Sequence, residues 1–218
     1  LYGQNVSVSV AREKDSRTME LLITSTNPKT LIIGKVLAAG CAGIVQVMAI
    51  VLSVVIGFMI NQSAYPEAIL TMFSSTLSPL NLIIFALFSL SGYLLYLFIF
   101  AALGSLVSKV EDVSSSIAPV TYVFVIAFAV ATFALYAPSA SFVVISSYIP
   151  FVSIFTMPIR AMMVSVGWIE IIISLIIMIA TTVVLAMLSV YIYRYGSLNY
   201  GNKLKLSTIF KSIKQKEH

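Results

Sequence analysis

Residues 36–60 read VLAAGCAGIVQVMAIVLSVVIGFMI, and no charged side chain falls between Lys35 and Glu67. About 25 mostly apolar residues, rising 1.5 Å each in an α-helix, are enough to cross a hydrocarbon core of about 30 Å. The stretch therefore reads as a membrane span. Upstream, Asn27 is a good helix N-cap and Pro28, with its fixed φ and missing N–H, suits the first helical position. The span is taken as residues 33–60.

Working outward, the same reading gives three more spans, over residues 82–107, 117–137 and 169–193. Residues 61–81 are richer in Ser, Thr, Asn and Pro, including Pro66 and Pro79, and read as a loop with one short helix. Residues 108–116, with Lys109, Glu111 and Asp112, form a polar turn that makes the second and third spans antiparallel neighbours. The whole chain supports this: 60% of its residues are hydrophobic and only 10% charged, with a mean hydropathy of +1.04. A water-soluble globule, about one-quarter charged, is excluded. The expected fold is an all-α polytopic membrane protein, one transmembrane domain over 1–218 that reads as part of a longer chain.

Residues 138–168 are apolar enough to suggest a fifth span, but charge placement argues against one. With four spans, Arg12, Lys14, Arg17, Lys29, Lys35, Lys109, Arg194, Lys203, Lys205, Lys211, Lys214 and Lys216 share one side, and of the 13 basic residues only Arg160 lies opposite. The positive-inside bias then puts both ends of the chain in the cytoplasm, at a plasma membrane crossed several times. Pro150, Pro158 and Arg160 also interrupt the segment, and an Arg at mid-membrane costs about 2.5–3.5 kcal/mol. The expectation is a re-entrant helical hairpin dipping in from outside, covered by protein because exposed backbone is not tolerated at that depth.

Two further helices are expected on the cytoplasmic side. In the region 11–32, Glu13 and Arg17, and Ser16 and Glu20, are spaced i and i+4 as on a solvated helix, with Met19, Leu22 and Ile23 as its buried stripe. That stripe needs a protein or lipid surface, which points to a soluble partner. In the tail 194–218, Leu206, Ile209, Phe210 and Ile213 among lysines describe a basic amphipathic helix on the inner leaflet. The basic residues flank apolar spans, so an anionic leaflet accounts for them and nucleic acid does not.

The chain offers little chemistry. Its one histidine is His218, and its eight Asp and Glu are scattered among loops and ends, which excludes His-paired hydrolysis and zinc sites of the HExxH type. Gly34-Lys35 lacks the remaining residues of a P-loop, so ATP and Mg are expected on a partner and no cofactor on this chain. Cys41 is alone and reads as a packing residue, and Gly34, Gly40, Gly43, Gly57, Ala101 and Ser105 mark close helix approach. Arg160 and Glu170 are near enough in sequence to pair and stabilise an extracellular gate. Rival readings are an ion channel or secondary transporter, which would need intramembrane ionisable residues or broken helices, and a membrane scaffold that transports nothing.

The order of these segments resembles a known family. AREKDSRTMELLITSTNPKTLIIGKV, residues 11–36, is similar to the cytoplasmic stretch of type-2 ABC transporter permeases. SYIPFVSIFTMPIRAM at 147–162 resembles their extracellular Pro-rich hairpin, and YRYGSLNYGNK at 193–203 their C-terminal signature. The nearest look is to sodium-extrusion permeases of the NatB kind, and similar permeases are associated with sodium ions, peptides, antibiotics and lipids. The resemblance implies a permease subunit of an ATP-driven exporter, no ATPase site of its own, and a dimer of permeases over two ABC ATP-binding subunits. It also implies that Arg17 to Ile23 is a coupling helix, with Glu13, Arg17, Thr18, Glu20, Leu21 and Leu22 facing the ATP-binding subunit.

Overall fold

The computed structural model describes residues 1–16, 18, 25–76 and 78–197. The coupling residues Arg17, Glu20, Leu21 and Leu22, the stripe of Met19, Leu22 and Ile23, and the tail helix at 206–213 lie outside them. Every regular element among the described residues is helical: α1 (Tyr2–Asp15), α2 (Pro28–Ile60), α3 (Glu67–Thr76), α4 (Pro79–Leu106), α5 (Val113–Ala134), α6 (Ser141–Ser146), α7 (Pro150–Met163) and α8 (Trp168–Ser197). Short 3₁₀ turns sit at Gln62–Ala64 and Val110–Asp112.

Four of these helices, α2, α4, α5 and α8, are long and apolar enough to cross a membrane. The protein is thus an all-α, multi-pass membrane protein. Each long helix starts or ends a few residues from the hydropathy boundary, because capping and the first turn tolerate polar residues that a hydropathy window excludes. At α2, the Asn27 side-chain oxygen accepts the backbone N–H of Lys29 at 3.0 Å, so the helix begins at Pro28. Proline opens α4 and α7 in the same way. The loop expected at 61–81 holds one helix of 10 residues, α3, after Pro66.

The chain divides into two compact units whose boundaries fall within the long helices. The first comprises residues 1–40, 94–123 and 180–218. Here α1 lies against α4: the Ser7 hydroxyl donates to the Phe100 carbonyl, and a Cβ added at Gly104 would stand 2.6 Å from the Ser7 Cα. Only glycine allows that backbone approach. Ser116 Oγ donates to the Leu103 carbonyl at 3.2 Å and Ser189 Oγ to the Phe98 carbonyl at 2.8 Å, bringing α5 and α8 onto the same helix. Ala11, Val107, Val113 and Ile117 form the apolar core between them.

The second unit comprises residues 41–93 and 124–179. Phe73 of α3 stacks on Phe58 of α2 at 3.8 Å between ring centroids, with Tyr65 on Phe58 at 5.1 Å. Gly92 of α4 lies against the Ile154 side chain of α7, and Phe155 meets Phe124 edge-on at 5.4 Å. Two helices, α6 and α7, occupy the segment where a hairpin was expected.

Several small residues read as packing contacts prove otherwise. Gly34 and Gly57 have open space where a Cβ would go and Cys41 is exposed, whereas Gly40 does pack, at van der Waals distance from Leu94 and Leu97 of α4. The close approaches are instead at Gly104, Gly196 and Gly92. A glycine in sequence shows that an approach is permitted, whereas the facing helix decides whether it occurs.

Candidate functional site

Two polar clusters stand out against the apolar helices, one in each unit. The first is built on the last turn of α1. Val6, Ser7, Val10, Ala11 and Lys14 are its buried residues, spaced as one face of an α-helix. Following that face from Val10 by four residues leads to Lys14, whose side chain is thereby carried inside. It is 2% exposed. Its ammonium donates to the Ser105 carbonyl at 3.2 Å.

That carbonyl belongs to the last turn of α4, where C=O groups lack intrahelical donors and the helix dipole favours a cation. Burial nonetheless pulls the Lys14 ammonium below the usual lysine range. Gly196 of α8 closes on the same carbonyl, and a side chain there would collide with it.

Next to Lys14, the Glu13 carboxylate pairs with the Lys35 ammonium of α2, which also donates to Ser9 Oγ at 3.1 Å. The second carboxylate oxygen, Oε2, is buried without a hydrogen-bond partner among the described residues. Tyr193, wholly buried on α8, lies within electrostatic reach of Glu13. Thr18 donates to the Glu13 carbonyl at 3.2 Å, and Ser16 to the Arg12 carbonyl at 2.8 Å, so both hydroxyls close the end of α1.

The cluster therefore gathers residues from four separated stretches: 9–16 with Thr18, Lys35, Ser105, and 193–196. Of the expected coupling residues, Thr18 is exposed and Glu13 is turned toward α2. The region had been read as a solvated helix around Glu13, and the burial of Lys14 corrects that for its first turn. Lys14 was missed, although the run Ser7, Ala11, Lys14 carried the signal.

The second cluster surrounds Arg160. Its guanidinium is held by the Ser147 hydroxyl at 2.7 Å, the Pro138 carbonyl at 3.2 Å and Glu170 at 3.3 Å. Ser174 Oγ donates to the Ser147 carbonyl and fixes the start of α8 to the end of α6. The structure thus joins Arg160 and Glu170, though unequally: the Arg160 side chain is 7% exposed and that of Glu170 42%. The buried residues of α7 are Ser153, Thr156, Met157, Pro158 and Arg160. Its polar residues are turned inward, and Ile154, Phe155 and Ile159 are partly buried.

Neither cluster resembles a catalytic or metal centre, and among the described residues no group of three His, Cys, Asp or Glu could hold a metal ion. What both can do is tie helices together through charge.

Comparison with known proteins gives the context. The family model described as "ABC-2 family transporter protein" matches residues 1–191. The uncharacterized protein YhaP of Bacillus subtilis (strain 168) is 36% identical over 217 residues, covering 99% of this chain and 51% of YhaP. The uncharacterized protein MJ1024 of Methanocaldococcus jannaschii is 29% identical over 212 residues, covering 95% of this chain and 49% of MJ1024. The chain spans about half the length of these curated relatives. No solved structure matches it significantly.

Proposed function

Because this chain belongs to the ABC-2 family of transporter proteins, we propose that it is the membrane-spanning permease part of an ATP-driven exporter. The family implies an ABC ATP-binding partner in general terms. In our reading that partner is a separate subunit, which binds and hydrolyses ATP with Mg, and this chain supplies the path through the membrane. Two permease copies then stand over two ATP-binding subunits. Positive-inside placement of Arg12, Lys29, Lys35, Lys109 and Arg194 puts α1's last turn and the end of α8 in the cytoplasm.

One observation carries this reading. The segment connecting α1 to α2 is tied to helices at both flanks, through Lys14 on Ser105 and Glu13 on Lys35 upstream and through the Asn27 cap downstream. A partner that displaces the segment therefore loads transmembrane helices. Arg17, Thr18, Glu20, Leu21 and Leu22 are the surface offered to it. Contacts that differ between nucleotide states at that surface are what a two-state transporter requires.

On the opposite side, α6 and α7 are read as a re-entrant hairpin. A helix whose polar residues point into protein and whose apolar residues are only partly covered suits an apolar solvent. Arg160 and Glu170 then latch the hairpin onto α8 as an extracellular gate. The membrane segments hold no pair of carboxylates that would coordinate Na⁺, so among the family's range of cargoes a sodium substrate has least support from these residues.

The test is co-purification of the full-length protein with a candidate ABC ATP-binding subunit from the same organism, in detergent and then in nanodiscs. Charge reversal at Arg17 and Glu20 is expected to weaken that complex and to abolish transport-linked ATP hydrolysis. Wild-type binding and coupling in the reversed variant would remove the coupling surface from consideration.

A further inference from the structure

We propose that the Glu13–Lys35 pair is the nucleotide-sensitive joint of the permease, engaged in the state described here and released when the ATP-binding subunit displaces the α1–α2 connection, while Lys14 holds α1 rigidly on α4. The inference rests on the permease reading above and adds the place at which the fold yields.

The argument is one of unequal fastening. Among the described residues, α1 is tied closely to α4 at four places over three turns: Gly3 against the Phe100 ring, Ser7 to the Phe100 carbonyl, the Gly104 backbone against Ser7, and Lys14 to the Ser105 carbonyl. Three of these rest on buried Ser7 or Lys14, and the Gly104 contact is backbone on backbone, which cannot slide without a collision. Between α1 and α2 the charged tie among the described residues is the Lys35 side chain, which reaches Ser9 and Glu13. Lys35 and Glu13 are still 19% and 23% exposed, so water can replace either partner when they separate.

Glu13 itself is poised for a second arrangement. One carboxylate oxygen is paired, while Oε2 is buried with no hydrogen-bond partner among the described residues. An unmet buried acceptor is unfavourable, and a rearrangement that hydrates or re-pairs it recovers part of what separating from Lys35 loses. A contact with two comparable arrangements is the kind of element that a small displacement can flip. Glu13 and Lys14 are therefore positioning residues with opposite tasks, one yielding and one fixed.

The experiment uses the full-length permease with its ATP-binding subunit in nanodiscs, in a Cys41→Ser background. Spin labels are placed on the exposed residues Arg12 and Lys29 to report α1 against α2, and on Arg12 and Lys109 to report α1 against the turn after α4. Trapping with ADP and vanadate is expected to shift the Arg12–Lys29 distance distribution and to leave Arg12–Lys109 unchanged. In Glu13→Gln, the shifted Arg12–Lys29 population is expected without nucleotide, with nucleotide dependence reduced roughly fivefold or more. Exchanging the charges, Glu13→Lys with Lys35→Glu, is expected to restore that dependence, which lost packing alone would not do.

If Glu13→Gln keeps the wild-type distributions with and without nucleotide, the joint is elsewhere, although the permease reading stands. Movement of Arg12–Lys109 as large as that of Arg12–Lys29 overturns the fixed role of Lys14. A wild-type chain that never binds the ATP-binding subunit removes the permease reading, and this inference with it.

Discussion

Lys14 and Arg160 are both buried cations, 2% and 6% exposed, in a chain whose other described charges reach solvent to some degree. They are held differently. Arg160 spreads its fork over a carbonyl, a hydroxyl and a carboxylate from three places in its unit. Lys14 sets a compact ammonium against one helix-terminal carbonyl, with its own neighbour Glu13 engaged by Lys35. A planar guanidinium with five donors satisfies several acceptors at once, whereas the Lys14 ammonium, set against one firm partner, is pulled toward neutrality by burial. One cluster is thus a staple on a single cation, and the other sets a fixed lysine, Lys14, beside a more exposed pair, Glu13 and Lys35.

The contrast is broken most directly by removing the staple. Arg160→Met leaves the Pro138 carbonyl, Ser147 and Glu170 without their donor, and at about 1–3 kcal/mol for each buried group the loss should reach about 3 kcal/mol. Thermal unfolding in detergent measures it, and a loss below about 1 kcal/mol would make Arg160 a surface-like residue. Next in size is Gly104→Ala, where the new methyl meets the Ser7 backbone. About 1–3 kcal/mol of overpacking is expected, seen as a lower melting temperature of the full-length protein.

Lys14→Met sharpens the other side of the comparison. Replacing a buried cation by an apolar side chain of similar length is often neutral or stabilising, so stability near neutral pH should change by less than about 1 kcal/mol. The pH dependence should change instead. Because the folded-state pKa is depressed, the unfolded chain holds the extra proton between that value and the ordinary one near 10.4. Wild-type stability then rises with pH across the window, and Lys14→Met should lack that share of the rise. Parallel melting profiles of the two proteins from neutral to alkaline pH would contradict it.

The smallest effect belongs to Glu170→Gln. Its carboxylate is 42% exposed, so solvent screening leaves the pair about 0–1 kcal/mol of stability. Equal losses from Glu170→Gln and Arg160→Met would show that the ion pair, and not the carbonyl and hydroxyl contacts, holds the segment.

How much of this was legible in the sequence differs by element. The four long helices were, as was the start of α2, because Asn27 and Pro28 act on the N–H groups of their own first turn. The proximity of Arg160 and Glu170 could be guessed from their short separation and the turn between them. Lys14 could have been found by following Ser7 and Ala11 along one helix face, but its partner could not, since Ser105 lies 91 residues away. The glycines misled for the same reason: Gly34 and Gly57 face open space, while Gly104 and Gly196 meet backbone.

The sequence by itself determined that this chain is a bundle of membrane helices of the ABC-2 family. The free energy of placing a helix in hydrocarbon is close to a sum over its own residues, readable one stretch at a time. Only the tertiary structure decided which charges meet, that Glu13 turns to Lys35 and Lys14 to Ser105. Those contacts depend on the rotation and axial register of one helix against another, which packing across the whole unit sets and no single stretch encodes.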